Sequence, residues 1–286
     1  MSRSNIVVWY FLICFLLVTA ASLTRSSTYV QFAILPIGIV AVAFQRFVHR
    51  EKIADLGYKA CSFRELGTAV VLPALIIFLI LLVDWMLGFV SAMDSIPLRN
   101  SFSRTPEIVD GWSLLLIVVV NALITFIACL ATEEVAFRGY ILTKLRKLGD
   151  SRALLLSSLL FGIWHYPVSL ILWDAGVLRS TLYVFNISLV GVLFGYQFLR
   201  SNSLLTCSLS HGVWNALAYT LFGLSNTKGL FSGDSKAIYD PEEGMVGTVV
   251  LLIFVSFVLL KQRKNLIHPN DSSCALNLDE KKGIQS

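Results

Sequence analysis

Charge is what this sequence has least of. Only 14% of its 286 residues are Asp, Glu, Lys or Arg and 56% are hydrophobic, whereas roughly a quarter of the residues in an ordinary soluble domain are charged. One globular core cannot hide that excess, so water-soluble classes drop out. Cysteine is sparse as well. Cys14, Cys61, Cys129, Cys207 and Cys274 are scattered with no CxxC pair, which indicates neither a thiolate zinc site nor a disulfide framework. Internal repeats, low-complexity linkers and a soluble domain between the apolar runs are all lacking. The formal net charge of +5 sits in short loops between those runs. It therefore points to no nucleic-acid surface, and the partner it implies is the lipid bilayer.

What is present is a series of apolar stretches, several longer than the roughly 18 residues a helix needs to cross a bilayer. Hydropathy predicts an all-α, polytopic membrane bundle of about eight transmembrane helices, near 5–23, 30–48, 67–90, 112–141, 153–173, 179–199, 204–222 and 245–260. Residues 1–110 then form amino-terminal helices and connecting loops, 111–222 a core, 223–260 a loop and last helix, and 261–286 a polar tail. The basic start and the small residues Ala20 and Ala21 also resemble a secretory signal. The apolar run continues to Leu23, however, and the charge pattern favours a retained helix. Arg3, then Arg46, Arg50, Lys52, Lys59 and Arg64, then Lys144, Arg146, Lys147 and Arg152, then Arg200 and the basic tail all fall on one side. Arg25, Arg99, Arg104, Arg179, Lys228 and Lys236 are the smaller set on the other. Since basic residues concentrate in cytoplasmic loops, both termini are expected in the cytoplasm.

Ionisable residues inside such spans are expensive and therefore functional candidates. Here they are Asp84, the adjacent Glu133 and Glu134 with Arg138, and His165 and His211, with Asn121, Asn186 and Asn215 as polar company. Asp84 lies toward the outer end of its span and is read as structural or as lining an outer opening. Glu134 and Arg138 stand four apart, the spacing at which opposite charges meet on one helix face, and read as a structural ion pair. Glu133 points about 100° away, so its partner must come from another helix. Glu133 precedes Lys144 by eleven residues, His165 follows Arg152 by thirteen and His211 follows Arg200 by eleven. At helical rise all three sit about 16 to 20 Å above the inner boundary. Three ionisable groups on three helices thus share one depth. His211 and Asn215, four apart, leave their helix on one face and suit the oxyanion of a tetrahedral intermediate; an interhelical polar clasp is the alternative. Gly162 and Gly212, beside the histidines, would let helices approach closely.

Glu133-Glu134-Val-Ala-Phe-Arg138, Phe161-Gly-Ile-Trp-His165 and His211-Gly-Val-Trp-Asn215 together resemble the ordered EExxxR, FxxxH and HxxxN motifs of the CPBP family, which includes CAAX prenyl endopeptidases, bacteriocin-processing and abortive-infection-type membrane proteins. The resemblance covers about residues 112–222. It implies an endopeptidase in which Glu133 and His165 hold and activate water while His211 and Asn215 stabilise the oxyanion. Members are labelled metalloproteases, and a metal-free glutamate mechanism has also been argued. Glu133, His165 and His211 would make a zinc site with one position open, but the same-helix HExxH arrangement is lacking.

The sequence thus predicts an intramembrane hydrolase acting on membrane-associated peptides or prenylated proteins, with its cavity open to the cytoplasm or sideways to lipid. A non-catalytic immunity or peptide-interaction protein of the same fold, or a proton-coupled transporter, are the alternative readings. The final Gly-Ile-Gln-Ser lacks a prenylation cysteine. A bacterial plasma membrane is the expected location, with the endoplasmic reticulum the alternative.

Overall fold

A computed structural model describes residues 3–92 and 111–267. Residues 268–286 of the tail, including Cys274, and residues 93–110, including Arg99 and Arg104, lie outside the described residues, while the start of the tail continues α8 to Ile267. Eight long helices organise the rest: α1 (Arg3–Leu23), α2 (Ser27–Ala43), α3 (Phe63–Met86), α4 (Gly111–Ala131), α5 (Asp150–Pro167), α6 (Gly176–Ser201), α7 (Leu204–Leu221) and α8 (Met245–Ile267). Six helical stretches are long and apolar enough to span a bilayer: Ile6–Leu23, Ser27–Val48, Phe63–Met86, Gly111–Leu148, Asp150–Leu172 and Gly176–Ser201. Met245–Lys261 is a shorter apolar helix. Helix α7 falls outside that set because Ser208, Ser210, His211 and Asn215 lower its hydropathy. It is nonetheless among the most enclosed helices, with both Trp214 and His211 buried. The fold is an all-α polytopic membrane bundle.

Large apolar side chains cover its exterior. Leu16, Ile39, Phe78, Ile127 and Phe257 are each more than half exposed, a surface that water would not tolerate over so wide an area and that lipid solvates. With lipid as solvent, helices gain little from hiding apolar surface and associate through close packing and polar contacts. Both are visible here. A Cβ on Gly162 would stand 2.4 Å from the Val184 carbonyl oxygen, and one on Gly212 2.4 Å from the Ala122 carbonyl oxygen. Those two glycines let α5 close on α6 and α7 close on α4. Polar clasps add to this: Tyr10 Oη donates to Ile37 O at 2.8 Å, Trp164 Nε1 to Cys14 O at 3.2 Å and Asn186 Nδ2 to Gly244 O at 3.1 Å.

Three helices continue past their regular ends as π turns: α2 through Phe44–Val48, α4 through Val135–Leu142 and α5 through Val168–Leu172. The last follows Pro167, which has no N–H to continue the ordinary ladder. The second begins directly after Glu133 and Glu134, where the 112–141 pattern had predicted one unbroken helix. Such wide turns are frequent at functional sites because they re-aim side chains within an otherwise regular helix.

The two ends of the bundle differ. At the basic end the 49–62 segment folds under the helices: Leu56 is fully buried, Gly57 O accepts from Leu204 N at 2.8 Å and Gln45 Nε2 donates to Lys52 O at 3.1 Å. At the opposite end the 223–244 connection carries a two-residue strand, β2 (Phe231–Ser232), antiparallel to β1 (Ser91–Ala92), with Ser91 opposite Ser232 and Ala92 opposite Phe231. A short helix, Lys236–Tyr239, precedes α8.

Candidate active site

The end of α4 supplies two adjacent carboxylates to two environments. Glu134 is fully buried. Its Oε1 accepts from Arg138 Nη1 at 3.0 Å and from His211 Nδ1 at 2.8 Å, while Arg138 Nη2 donates to Gly191 O at 3.3 Å. The guanidinium lies 4.1 Å from the centre of the Phe161 ring. These contacts hold the buried charge pair, while Glu134 Oε2 has no hydrogen-bond partner among the described residues.

Glu133 turns the other way. Its Oε2 stands 3.7 Å from His165 Nε2 and 4.0 Å from His211 Nε2, both beyond hydrogen-bond length, and it has no hydrogen-bond partner among the described residues. The three groups that the depth argument set at one level therefore meet. Each imidazole is fixed through its other nitrogen: His165 Nδ1 bonds Phe161 O at 2.8 Å and His211 Nδ1 bonds Glu134. A carbonyl and a carboxylate both demand an N–H there, which leaves each Nε2 directed at Glu133. Aromatic rings hold the imidazoles in place. Phe194 stacks on His211 with centroids 5.0 Å apart, and Trp164 meets His165 edge to face at 4.8 Å.

Glu133, His165, His211 and Asn215 all line one cavity of about 190 Å³, with Phe161, Phe194 and Trp214 around them and Tyr183, Tyr219 and Trp173 above. Asn215 makes no side-chain hydrogen bond among the described residues. Asn186 is occupied elsewhere, bonding Gly244 and Thr248. Asn121 is exposed on α4. Asp84 does not line this opening: it is fully buried, both its carboxylate oxygens lack partners among the described residues, and it is absent from the cavity wall.

One lining residue escaped the sequence reading. Glu242, in the 223–244 connection, is 4% exposed, accepts from Trp214 Nε1 at 2.8 Å and reaches the cavity. Burial and the neighbouring Asp240 carboxylate push it up to about 8. Asp240 Oδ1 caps the turn by accepting from Glu242 N at 2.8 Å and Glu243 N at 3.0 Å, and Arg179 pairs with Glu243. In sequence, Glu242 falls in the connection before the last helix, and nothing there signals a return into the bundle.

Among the described residues no three His, Cys, Asp or Glu side chains are arranged to hold a metal ion. As placed, Glu133, His165 and His211 converge without forming a ready zinc site.

Residues 111–217 match the family described as Rce1-like, type II CAAX prenyl endopeptidase Rce1-like. That span contains all three motifs and every residue of the Glu133, Glu134, Arg138, His165, His211 and Asn215 constellation. No curated protein matches the chain.

Proposed function

We propose that this chain, which belongs to the CPBP and CAAX protease family through residues 111–217, is an intramembrane endopeptidase that uses Glu133 as its general base. The observation that carries this reading is the unpaired Glu133 Oε2 between two Nε2 atoms, at 3.7 and 4.0 Å. Polar groups that far apart are commonly bridged by one water oxygen.

In this mechanism Glu133 takes a proton from that water while His165 Nε2 orients it, and the oxygen attacks the carbonyl carbon of the scissile peptide bond. The carbonyl π electrons move to oxygen. Asn215 Nδ2 and a protonated His211 Nε2, on one face of α7, donate to the resulting oxyanion. Collapse of the intermediate breaks the C–N bond, and Glu133 passes its proton to the leaving nitrogen. Glu134 and Arg138 touch no reacting atom; they position His211 by holding its Nδ1. The cavity's aromatic walls exclude bulk water and suit an extended peptide segment.

The test compares membrane peptide profiles of cells carrying the intact protein and Glu133→Gln, together with metal analysis of the purified protein. Accumulation of an uncut precursor in the variant supports the assignment and identifies the substrate. Identical profiles at equal expression would overturn it in favour of peptide binding without cleavage. Stoichiometric zinc would move Glu133 from base to ligand.

A further inference from the structure

The walls of the cavity reveal which face of the membrane it serves. From α2 it takes Ser27, Val30, Gln31 and Ile34, all in the first half of a helix whose basic end lies beyond them at Arg46. From α5 it takes residues from Phe161 outward to Leu172 and Trp173, and from α7 residues from His211 outward to Leu224. From α6 it takes Tyr183, Ile187, Val190 and Phe194, and Glu242 reaches it from the connection at the end opposite the basic loops. Phe194, in the last third of α6, forms the floor, and the other lining residues sit farther from the basic loops.

Below the floor the bundle is shut. Phe194 and Phe161 are buried to within 2%, and beneath them lie the Glu134–Arg138 pair, a His49 Nε2 to Tyr140 Oη contact of 2.8 Å and the tucked 49–62 segment with Leu56 at its centre. A peptide approaching from that side would have to unpack the buried ion pair, whose rupture leaves an uncompensated charge. From the other side it meets Ser27 and Gln31, both exposed, and descends an open, partly polar wall.

The basic residues around Lys52, Lys59, Lys144, Lys147 and Arg152 mark the sealed end as cytoplasmic. We infer that the substrate enters from the extracytoplasmic face, so that the peptide cut is an exported or outer-leaflet-anchored segment and not one displayed in the cytoplasm. This rests on the endopeptidase reading for the nature of the cargo; the direction of entry stands on the cavity and the charge pattern alone. It departs from the opening to the cytoplasm or sideways to lipid that the sequence suggested, because the depth of the three groups is compatible with access from either side and only their surroundings choose.

Thiol accessibility tests it without requiring activity. In a background with Cys14, Cys61, Cys129, Cys207 and Cys274 replaced by Ala, Ser27→Cys and Leu224→Cys report the mouth, and Leu148→Cys reports the basic end. A membrane-impermeant maleimide is added to right-side-out vesicles before and after permeabilisation. Both mouth cysteines should be modified in sealed vesicles, and Leu148→Cys only after permeabilisation. The reverse pattern, or mouth cysteines protected until the membrane is opened, would overturn the inference; two independent mouth reporters guard against one variant failing to fold. Peptide cleavage by the wild type is followed in the same vesicles. Expected labelling with no cleavage of any peptide would count against the endopeptidase, whereas reversed labelling with cleavage intact would count against the direction of entry.

Discussion

Glu133 and Glu134 are neighbours of identical chemistry, and the fold gives them opposite surroundings. On one side of the helical turn Glu134 is enclosed, bonded to Arg138 and His211 and sealed under Phe161. On the other, Glu133 faces a cavity between two imidazoles and has no cation beside it among the described residues; each carboxylate keeps one oxygen without a hydrogen bond, and only that of Glu133 is at the cavity. The difference teaches how a membrane bundle can present one carboxylate to a cavity: the neighbouring Glu134–Arg138 pair holds the His211 imidazole that faces it. Stability and reactivity are divided between adjacent residues, so substitutions should separate them.

The sharpest break of that comparison is Glu133→Gln. Removing a general base lowers the rate by about 10²- to 10⁴-fold, and because Oε2 makes no hydrogen bond the melting temperature should not fall. A large drop in Tm would mean that Glu133 is structural like its neighbour. Arg138→Ala should do the opposite, lowering stability by about 3–5 kcal/mol in detergent unfolding measurements, since Glu134 is left buried and unpaired. A mild effect there would erase the contrast. Asn215→Ala sharpens the reactive side: loss of one oxyanion donor costs about 10²- to 10³-fold in kcat with KM little changed. Gly212→Ala probes the scaffold, where the new Cβ meets the backbone of α4 at 2.4 Å and overpacking should cost about 1–3 kcal/mol.

The smallest effect concerns Glu242. Its folded carboxyl lies near 8 against an ordinary value of 4.5, so between those values the native state binds a proton that the unfolded chain has released. Stability therefore falls as pH rises through this window. Glu242→Gln keeps an oxygen for Trp214 Nε1 and carries no charge. It should flatten the decline of Tm between about pH 5 and 8, as followed by thermal unfolding; an unchanged slope would assign the decline to another group.

Much of the architecture was legible in advance because lipid imposes a simple rule on the chain: long apolar runs must be helices, and every charge within one must be accounted for. The eight helices fall close to their expected positions for that reason. Glu133, His165 and His211 were recognisable from depth alone, and Glu134 with Arg138 from helical spacing. The π turn at Val135–Leu142 was not, since residues on its faces do not differ in hydropathy from those of an ordinary helix. Glu242 was hidden for a different reason: it lies in a loop whose route back to Trp214 is set by contacts distant in sequence.

By itself, then, the order of residues determined that the chain lives in a bilayer, which ends of its helices are basic, and which polar groups share a level within it. Side-chain chemistry and a rise of about 1.5 Å per residue suffice for those conclusions. Only the tertiary structure decided that Glu134, not Glu133, grips His211, and that the cavity widens away from the basic loops. Those outcomes depend on the rotation of each helix about its axis and on what packs beneath the floor, and neither is encoded in spacing along one strand of sequence.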